Sequence, residues 1–461
     1  MSLPKVASGE GSAKKKLSRT EITEMLRRHR RFLAKETGGM RAVLHFCDIT
    51  GHDLSRCDLS EADLTGIVLS QARLSGASFR HANLYCADLR MAQLSEADFT
   101  GADLRGVCLR GAELSDAVLV GCDIRAAALA RYNSDGEPQF VDYEESPAQL
   151  AAIVAKRANM TGAKLSGAFV MQADLTDAVL TNANLSGVDL RNSIMIGTSL
   201  SGVDLTGAKL SGAALAGADM SGADFAGADF SGADLRGVIL DSEDMDREEL
   251  KSSIRSRQHK FEPAALHEIL SHHKLWLSSL SKAGKRANLS ETDLSGQSFA
   301  GADLTAAQMS QCGPRNSNLS GSDLTLAEMS FSDLRGADLS RAELRGVDLQ
   351  RATLTGANLS EVKLDPVEHV GLQRHITRAN LTRTRLNGAV LRRADLRQAN
   401  LADADLSGAD LSGADLSNAD LSGVNLAGAN LQDTILIGAT LTNAKGLSAA
   451  DLAGLQGPAT R

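Results

Sequence analysis

The chain has 461 residues, a formal net charge of −8 at pH 7, 43% hydrophobic residues and only 3% aromatic residues. So few aromatic residues fit a narrow aliphatic core and argue against a conventional globular one. No apolar run is long enough to span a bilayer, and residues 1–20 lack the hydrophobic segment of a secretory signal, so we expect a cytoplasmic protein with no membrane segment.

Leucine or a close substitute returns at every fifth residue through most of the chain, as in the stretch SGADFAGADFSGADL at 221–235. Five residues advance a side chain by about 140° beyond one helical turn, so an α-helix cannot place these leucines in one stripe. In a strand, an odd spacing sends alternate leucines to opposite faces. The backbone must therefore turn once per pentad, and four turns of about 90° would close a coil that buries its leucines only by stacking on its neighbours.

The repeated unit resembles the A(D/N)LXX repeat of the pentapeptide-repeat family. The resemblance implies an all-β solenoid, a right-handed quadrilateral β-helix, in a bacterial protein. Within the unit, the residue two before the leucine is small, as at Cys57, Val188 and Thr198, which indicates a second inward position. The Asp or Asn just before the leucine is expected to point outwards.

The fivefold spacing is held over four runs, with central residues at Leu44–Leu129, Met160–Leu240, Leu289–Leu364 and Leu381–Leu441. Pro314 occupies one centre, where we expect a local bulge. Each run opens at an Arg-Ala pair: Arg41–Ala42, Arg157–Ala158, Arg286–Ala287 and Arg378–Ala379. The sequence leaves open whether the runs form one continuous rod or two separate modules.

Short helices are predicted around the runs. Runs one and three follow matching amphipathic helices, in which Ile22, Met25, Leu26, His29, Phe32 and Leu33 correspond to Leu266, Ile269, Leu270, His273, Trp276 and Leu277. Runs two and four follow segments that begin with Ser146–Pro147 or Asp365–Pro366, a favourable helix start. Closing helices are predicted at two places by a cap, a capping box and a hydrophobic staple: Met245–Asp246 with Glu249 and Leu250, and Leu447–Ser448 with Asp451 and Leu452. Such helices would cover the unpaired edges and leucine-lined openings of the terminal coils.

The chain is therefore interpreted as an internal duplication. It has four runs in two duplicated halves, two runs in each half, with short α-helical caps and linkers. We predict, in order, a disordered N-terminal tail at 1–20, a capping helix at 21–40, run one at 41–130, a projecting loop and short helix at 131–156, run two at 157–243, a closing helix and second capping helix at 244–285, run three at 286–364, a short helical interruption at 365–377, run four at 378–445, and a C-terminal closing helix and tail at 446–461. The closing helices could also pair two chains as a homodimer, as the C-terminal helices of some relatives do.

No catalytic residue, cofactor site or metal site is predicted. The chain lacks a P-loop, a GxGxxG after a strand and an HExxH motif, and a core of Leu and Ala leaves no pocket for a substrate. Cys47, His52 and Cys57 occupy three consecutive inward positions, where sulfur and nitrogen ligands would suit zinc. No fourth ligand accompanies them, so we interpret the inward cysteines as small hydrophobic residues.

Outward acidic residues twenty positions apart are expected to stack on one face. They are Asp63, Asp103 and Asp123 in the first run, with Asn83 among them, and Asp303, Asp323 and Glu343 in the third. Some relatives, the quinolone-resistance proteins, are thought to mimic DNA and bind type II topoisomerases, so the resemblance implies a topoisomerase as one candidate partner. Arginines reduce the net negative charge around these ladders of acidic residues. The other interpretation is therefore a solvated face that keeps the protein soluble.

The segment Arg131–Glu145 is a candidate projecting loop, and it holds the aromatic residues Tyr132, Phe140 and Tyr143. Aromatic residues are common contact points, although these could equally pack over the coil. The basic stretch Arg27–Arg31 is either a nucleic-acid contact or the solvated face of the capping helix. Because no base-stacking aromatic residues accompany it, direct nucleic-acid binding is not expected.

These features together predict a non-enzymatic structural repeat scaffold that mediates protein–protein interaction through its outer faces or projecting segments. No motif names the partner. The alternative is a DNA mimic that binds DNA gyrase or another topoisomerase.

Overall fold

The structure is a computed structural model that describes residues 15–127, 148–241, 244, 247–254, 264–369 and 375–447, with the backbone alone at 131–132, 138–139, 259–260 and 263. The chain divides into two compact units, unit 1 (Met1–Ile254) and unit 2 (Arg255–Arg461). Each unit has a hydrophobic core of its own.

Each pentad forms one rung of a parallel β-ladder. Leu44 N–H donates to the Asp63 carbonyl (2.8 Å), and Asp63 N–H donates back to the Ala42 carbonyl (2.9 Å). Ladder partners within a run lie twenty residues apart, so successive pentads supply four ladders, one for each side of the coil. The repeat therefore forms a β-helix solenoid in which every coil stacks on the next.

A tight turn follows each central residue. In the turn 59–62, Ala62 N–H donates to the Leu59 carbonyl (3.1 Å) and Glu61 has a φ of 61°. A positive φ at the third residue of a four-residue turn is the signature of type II, which explains why glycine is common there. Larger residues occupy the position too: Phe46 has a φ of 53°, and its ring lies against Gly66 of the next coil.

Both inward positions of the pentad are buried in most of the described coils. Leu64, at a centre, and Ala62, two residues before it, each have 0% of their surface exposed. Phe79 and Phe99 occupy equivalent centres in successive coils and stack with their ring centroids 4.9 Å apart. Burial of one Leu contributes only about 1.5–3 kcal/mol, whereas ordering each residue costs about 1–2 kcal/mol, so a single pentad cannot be stable alone.

The regular elements of unit 1 are β1 (Lys15–Lys16), α1 (Arg19–Leu33), β2 (Cys47–Asp48), β3 (Arg131–Tyr132), β4 (Pro138–Gln139) and a 3-10 helix (Glu248–Leu250). β1 pairs parallel with β2, and β3 pairs antiparallel with β4. Ser18 caps α1 in a capping box with Glu21. The tail predicted to be disordered over 1–20 is therefore structured from Lys15 on, because the first coil and the helix end supply backbone partners.

Unit 2 contains β5 (His259–Lys260), α2 (Pro263–Ser278), β6 (Thr292–Asp293), β7 (Val367–His369) and β8 (His375–Thr377). β5 pairs parallel with β6, as β1 does with β2, while β7 and β8 form an antiparallel hairpin. Each unit thus begins with a short strand that joins the first coil and a helix that follows it. Within the described residues, no helix has the length and apolar character needed to cross a bilayer.

The coils of unit 1 continue across the insertion in its middle. Cys108 pairs with Gln149, so the ladder resumes after 41 residues instead of twenty. In place of the short helix predicted before run two, residues 148–156 form regular coil, and Ala155 is fully buried at a centre. Arg157 is a turn residue with a φ of 57° and does not open the run. Because Ala155 stands where the repeat usually has leucine, the fivefold spacing was not recognised in this part of the sequence.

The coils of unit 2 also continue across their insertion. Asp348 pairs with Asn380, 32 residues further on. The β7–β8 hairpin lies between them, where the sequence predicted a short helix at 365–377. The inserted chain leaves and re-enters the coil at one corner, so it must reverse direction; an antiparallel hairpin does this and a single short helix does not.

The end of unit 1 is covered by the 3-10 helix, whose Leu250 is fully buried. Glu249, predicted as a capping-box residue, instead accepts the Gly227 N–H of the last coil (3.1 Å). Arg247, at the N-cap, makes no side-chain capping bond. The closing helix predicted at 446–461 lies outside the described residues from 448 onwards.

Pro314 does not cause the expected bulge. It is buried at a central position, and the turn that follows is regular, with Ser317 N–H donating to the Pro314 carbonyl (3.3 Å). Proline lacks only the N–H donor, so the coil loses one ladder hydrogen bond and keeps its path.

Candidate functional site

The outward residue before each centre is commonly Asp or Asn, and its side chain is fixed by its own pentad. Its Oδ1 accepts the backbone N–H two residues later, as in Asp53 with Ser55 (3.1 Å) and Asp58 with Ser60 (3.0 Å). The serine hydroxyl donates a second bond to the same oxygen. This Asx turn holds the carboxylate in one orientation on the outer face.

The structure stacks the first acidic ladder in one column, with bridges Asp63–Asn83, Asn83–Asp103 and Asp103–Asp123. Each carboxylate in it has a basic neighbour: His45 on Asp63 (2.8 Å), Arg105 on Asp103 (2.6 Å) and Arg125 on Asp123 (2.7 Å). Burial raises the pKa of Asp63, but hydrogen bonds from His45 and Thr65 outweigh it and lower the pKa. The column therefore presents two arginine-paired carboxylates and one that is hydrogen-bonded to a histidine, rather than an unbroken row of free carboxylates.

An arginine two residues after an outward aspartate pairs with it throughout the chain. The pairs, with N–O distances of 2.6–2.9 Å, are Asp88–Arg90, Asp103–Arg105, Asp123–Arg125, Asp189–Arg191, Asp234–Arg236, Asp333–Arg335 and Asp395–Arg397. The sequence signal is the tripeptide Asp-Leu-Arg or Asp-Ile-Arg, which overall charge counts do not reveal. Positions i and i+2 face the same side here because the chain turns at the corner, and the guanidinium can bind both carboxylate oxygens.

The second acidic ladder also forms one column, in which Asp303, Asp323 and Glu343 are followed by Lys363. Lys363 pairs with Glu343 at 2.5 Å. Asp303 and Asp323 accept backbone N–H groups at 3.1 and 2.9 Å and form no ion pair within the described part of the chain. This column, called the unit 2 acidic column below, therefore carries more unpaired carboxylate than the column in unit 1.

The β7–β8 hairpin borders an open cleft of ≈ 590 Å³ over the unit 2 acidic column. The cleft is lined by Asp323, Thr325, Glu343, Arg345, Lys363, Pro366, Val367 and Glu368. The hairpin is held against the coil at Gly346, where Leu326, Val367 and Thr377 all approach the backbone. A charged floor thus meets a wall formed by Pro366, Val367 and Glu368, an arrangement that sequence reasoning missed because it expected a helix there.

The predicted aromatic contacts cannot be placed on the surface in the same way. Tyr132 lies in β3, of which only the backbone is described, and Phe140 and Tyr143 lie outside the described residues.

The basic stretch of α1 is partly neutralised. Glu24 lies 2.7 Å from both Arg27 and Arg28, and Arg31 lies 3.8 Å from Glu36. His29, in the middle of the stretch, is fully buried. The stretch therefore contributes a helix surface of mixed charge.

The Cys47, His52 and Cys57 constellation does not converge on a common point. His52 Nδ1 lies 3.2 Å from the Thr50 carbonyl, and burial raises the pKa of the Cys57 thiol, which disfavours the thiolate that a metal would need. Across the described ranges, no three His, Cys, Asp or Glu side chains are grouped to hold a metal ion.

A family model of pentapeptide repeats matches the chain at residues 40–74, 62–101, 92–131, 156–192, 173–212, 198–241, 285–312, 315–341, 332–365, 376–413 and 414–445. Together these matches cover more than half of the 461 residues. A search of curated proteins gave no significant match.

Several solved structures are similar to parts of the chain. QnrB1, a plasmid-mediated fluoroquinolone resistance protein, is 21% identical over 44% of this chain and 93% of that chain, with a TM-score of 0.29. Rfr23, a pentapeptide repeat protein of the cyanobacterium Cyanothece 51142, is 27% identical over 30% of this chain and 90% of that chain, with a TM-score of 0.20. The pentapeptide repeat protein alr5209 of Nostoc PCC 7120 is 34% identical over 26% and 84%, with a TM-score of 0.15. TM-scores this low do not establish that the whole structures are similar. The family assignment therefore depends on the match to the repeat model and on the ladder geometry. On those two findings, the chain belongs to the pentapeptide-repeat family.

Proposed function

We propose that the protein is a non-enzymatic repeat scaffold that binds another protein through its outer faces. The observation that carries this proposal is the filled core: in most of the described pentads both inward positions are occupied by buried side chains, as at Leu64 and Ala62. A core of this kind leaves its outer columns and projecting segments as the surfaces available for recognition.

The outer columns are suited to recognition because many of their side chains are already ordered. The Asx turns and the Asp-Leu-Arg pairs fix carboxylates and guanidinium groups before any partner arrives. Immobilising a free side chain on binding costs about 0.5–1.5 kcal/mol, so an ordered surface loses less entropy in a complex.

We place the principal contact at the cleft between the unit 2 acidic column and the β7–β8 hairpin. It combines the carboxylate of Asp323 with the apolar edge of Pro366 and Val367. Mixed polar and apolar surfaces of this kind are common in protein interfaces. The segment 131–145, with Tyr132, Phe140 and Tyr143, is proposed as a second contact.

The experiment uses the full chain and a deletion of 366–377, which restores the twenty-residue spacing between the flanking coils. We expect the deletion to retain its β-rich circular dichroism and to lose a partner that the intact chain captures. Asp323→Ala should weaken capture of the same partner, whereas Asp415→Ala, further along the same column, should not. Equal capture by all four proteins would show that the cleft is not the binding site. A captured partner that also binds an unfolded sample would show that binding does not depend on the folded scaffold.

The alternative function is DNA mimicry directed at a type II topoisomerase. The carboxylates of Asp303 and Asp323 favour it, because they are stacked and have no ion-pair partner among the described residues. The arginine pairs in the first ladder weigh against it, since they interrupt the row of negative charge. A DNA gyrase supercoiling assay decides between them: supercoiling unchanged at high protein concentration would exclude the mimic.

A further inference from the structure

Both units attach their capping helix to the first coil through a buried histidine. Ala42 N–H donates to His29 Nδ1 at 3.1 Å, and Ala287 N–H donates to His273 Nδ1 at 3.1 Å. Both histidines have 0% of their surface exposed. The two alanines occupy the first inward position of their unit, so each imidazole accepts an N–H group at the open end of the solenoid.

This geometry requires a neutral imidazole. A nitrogen that accepts an N–H group cannot carry a proton, so the hydrogen must reside on Nε2 in both histidines. Neither Nε2 makes a hydrogen bond of normal geometry within the described residues, although the Ser60 carbonyl interacts with the His29 ring and the Thr305 carbonyl with the His273 ring. A second proton would place an N–H on Nδ1 against the backbone N–H of Ala42 or Ala287, and it would leave a charge in a buried position.

The charges around each histidine are similar in the two units. Burial lowers the pKa of His29; the Ser60 carbonyl, Asp58 and Glu61 act in the opposite direction, and Arg41 adds to the lowering. Burial likewise lowers the pKa of His273, with Asp303 and the Thr305 carbonyl opposing it and Arg286 adding to it. In both cases burial is the dominant effect and favours the neutral form.

The helices cover surface that would otherwise be open. Ile22 of α1 and Leu266 of α2 are buried against their cores. The pairing of a histidine with an aromatic ring is also repeated between the two units, as His29 stacks on Phe32 (5.9 Å) and His273 on Trp276 (5.7 Å). Removal of a helix would expose a leucine-lined opening and unpaired ladder groups, which can join another strand edge.

We infer that His29 and His273 are acid-sensitive contacts that release the capping helices of the two units when their imidazoles are protonated. The direction of the pH effect follows from the neutral imidazole in the folded state. Because the folded pKa lies below the ordinary value for histidine, the stabilisation is complete above that ordinary value and is lost as the pH falls towards and below the folded pKa. The open ends are therefore covered at neutral pH and exposed in acid.

The full chain contains a natural reporter, since Trp276 is its only tryptophan. We expect its emission to fall and shift to longer wavelength as the pH is lowered from 8 to 5, reversibly. His273→Asn keeps an acceptor at the equivalent position but cannot be protonated, so its emission should stay constant over the same range. His272→Asn, at the exposed neighbouring histidine, should behave as the wild type.

Hydrogen exchange of the Ala287 amide separates helix release from simple quenching by a protonated ring. After correction for the intrinsic pH dependence, we expect its protection to fall by up to about tenfold between pH 7.5 and 5.5 in the wild type, which is the limit for one imidazole whose ordinary pKa is about 6.5, and the Ala42 amide to behave likewise. Unchanged protection, or an identical emission profile in wild type and His273→Asn, would overturn the inference. Both wild-type measurements stand even if the Asn variant fails to fold.

Discussion

The contact between Phe46 and Gly66 provides a sharp test of the turn geometry. Gly66 has a φ of +63°, and a Cβ atom added to it would lie 2.3 Å and 2.4 Å from two ring carbons of Phe46. Gly121 has nearly the same φ, +64°, but an added Cβ would have nothing within 4 Å. The two glycines occupy the same position of the pentad, so they differ only in what lies beside them.

Alanine at either site adopts a left-handed conformation, which costs about 1–2 kcal/mol and is partly offset by about 0.4–1 kcal/mol from the restricted unfolded chain. We therefore expect Gly121→Ala to destabilise unit 1 by about 1.5 kcal/mol or less. Gly66→Ala must also move the Phe46 ring from its rotamer and its packing, which adds about 1–2 kcal/mol. In a Phe46→Ala background this additional cost should disappear.

The assay is hydrogen exchange of the Gly66 amide, which donates to the Tyr85 carbonyl at 2.8 Å, together with urea unfolding. A difference of 1–2 kcal/mol corresponds to a roughly 5- to 30-fold change in exchange rate. Equal effects of Gly66→Ala and Gly121→Ala, or an extra cost that persists without the Phe46 ring, would refute the reasoning.

Two further predictions concern carboxylates. Asp189 is held by Arg191 at 2.7 Å, and hydrogen bonding by this arginine lowers the pKa of the carboxyl group. Its stabilisation should be present above the ordinary pKa of aspartate and lost in acid, so Asp189→Asn should cost about 1–3 kcal/mol at pH 7 and little at pH 3 in urea unfolding; an equal cost at both pH values would contradict this. Glu249→Ala should leave the Gly227 N–H without an acceptor, speeding its hydrogen exchange several-fold, whereas Glu248→Ala should leave that rate unchanged.

The repeat positions could be predicted from the sequence because each pentad presents the same physical requirement. Leu at the centre, a small residue two before it and Asp or Asn between them specify inward, inward and outward positions with no knowledge of distant contacts. The similarity of His29 to His273 was also visible in the sequence. The structural role of these histidines was not visible, because that of His29 depends on the N–H group of Ala42, thirteen residues away in the chain.

The insertions could not be predicted because their conformation depends on where their ends lie. Asp365–Pro366 is an acceptable helix start and an equally acceptable turn, and local propensity does not choose between them. The neighbouring coils decide, since they hold the two ends of the segment at one corner. Ala155 was missed for a related reason: burial at a centre is determined by coils on either side, which accept a small residue as long as they complete the ladder.

The sequence by itself determined the solenoid, since a fivefold apolar spacing is incompatible with a helix or a flat strand and requires a turn in every pentad. The tertiary structure decided which outward charges are paired, how the coils continue past each insertion, and what covers their ends. These features depend on residues twenty or more positions apart that become neighbours only when the coils stack, as Lys363 does with Glu343 and Glu249 with the Gly227 amide.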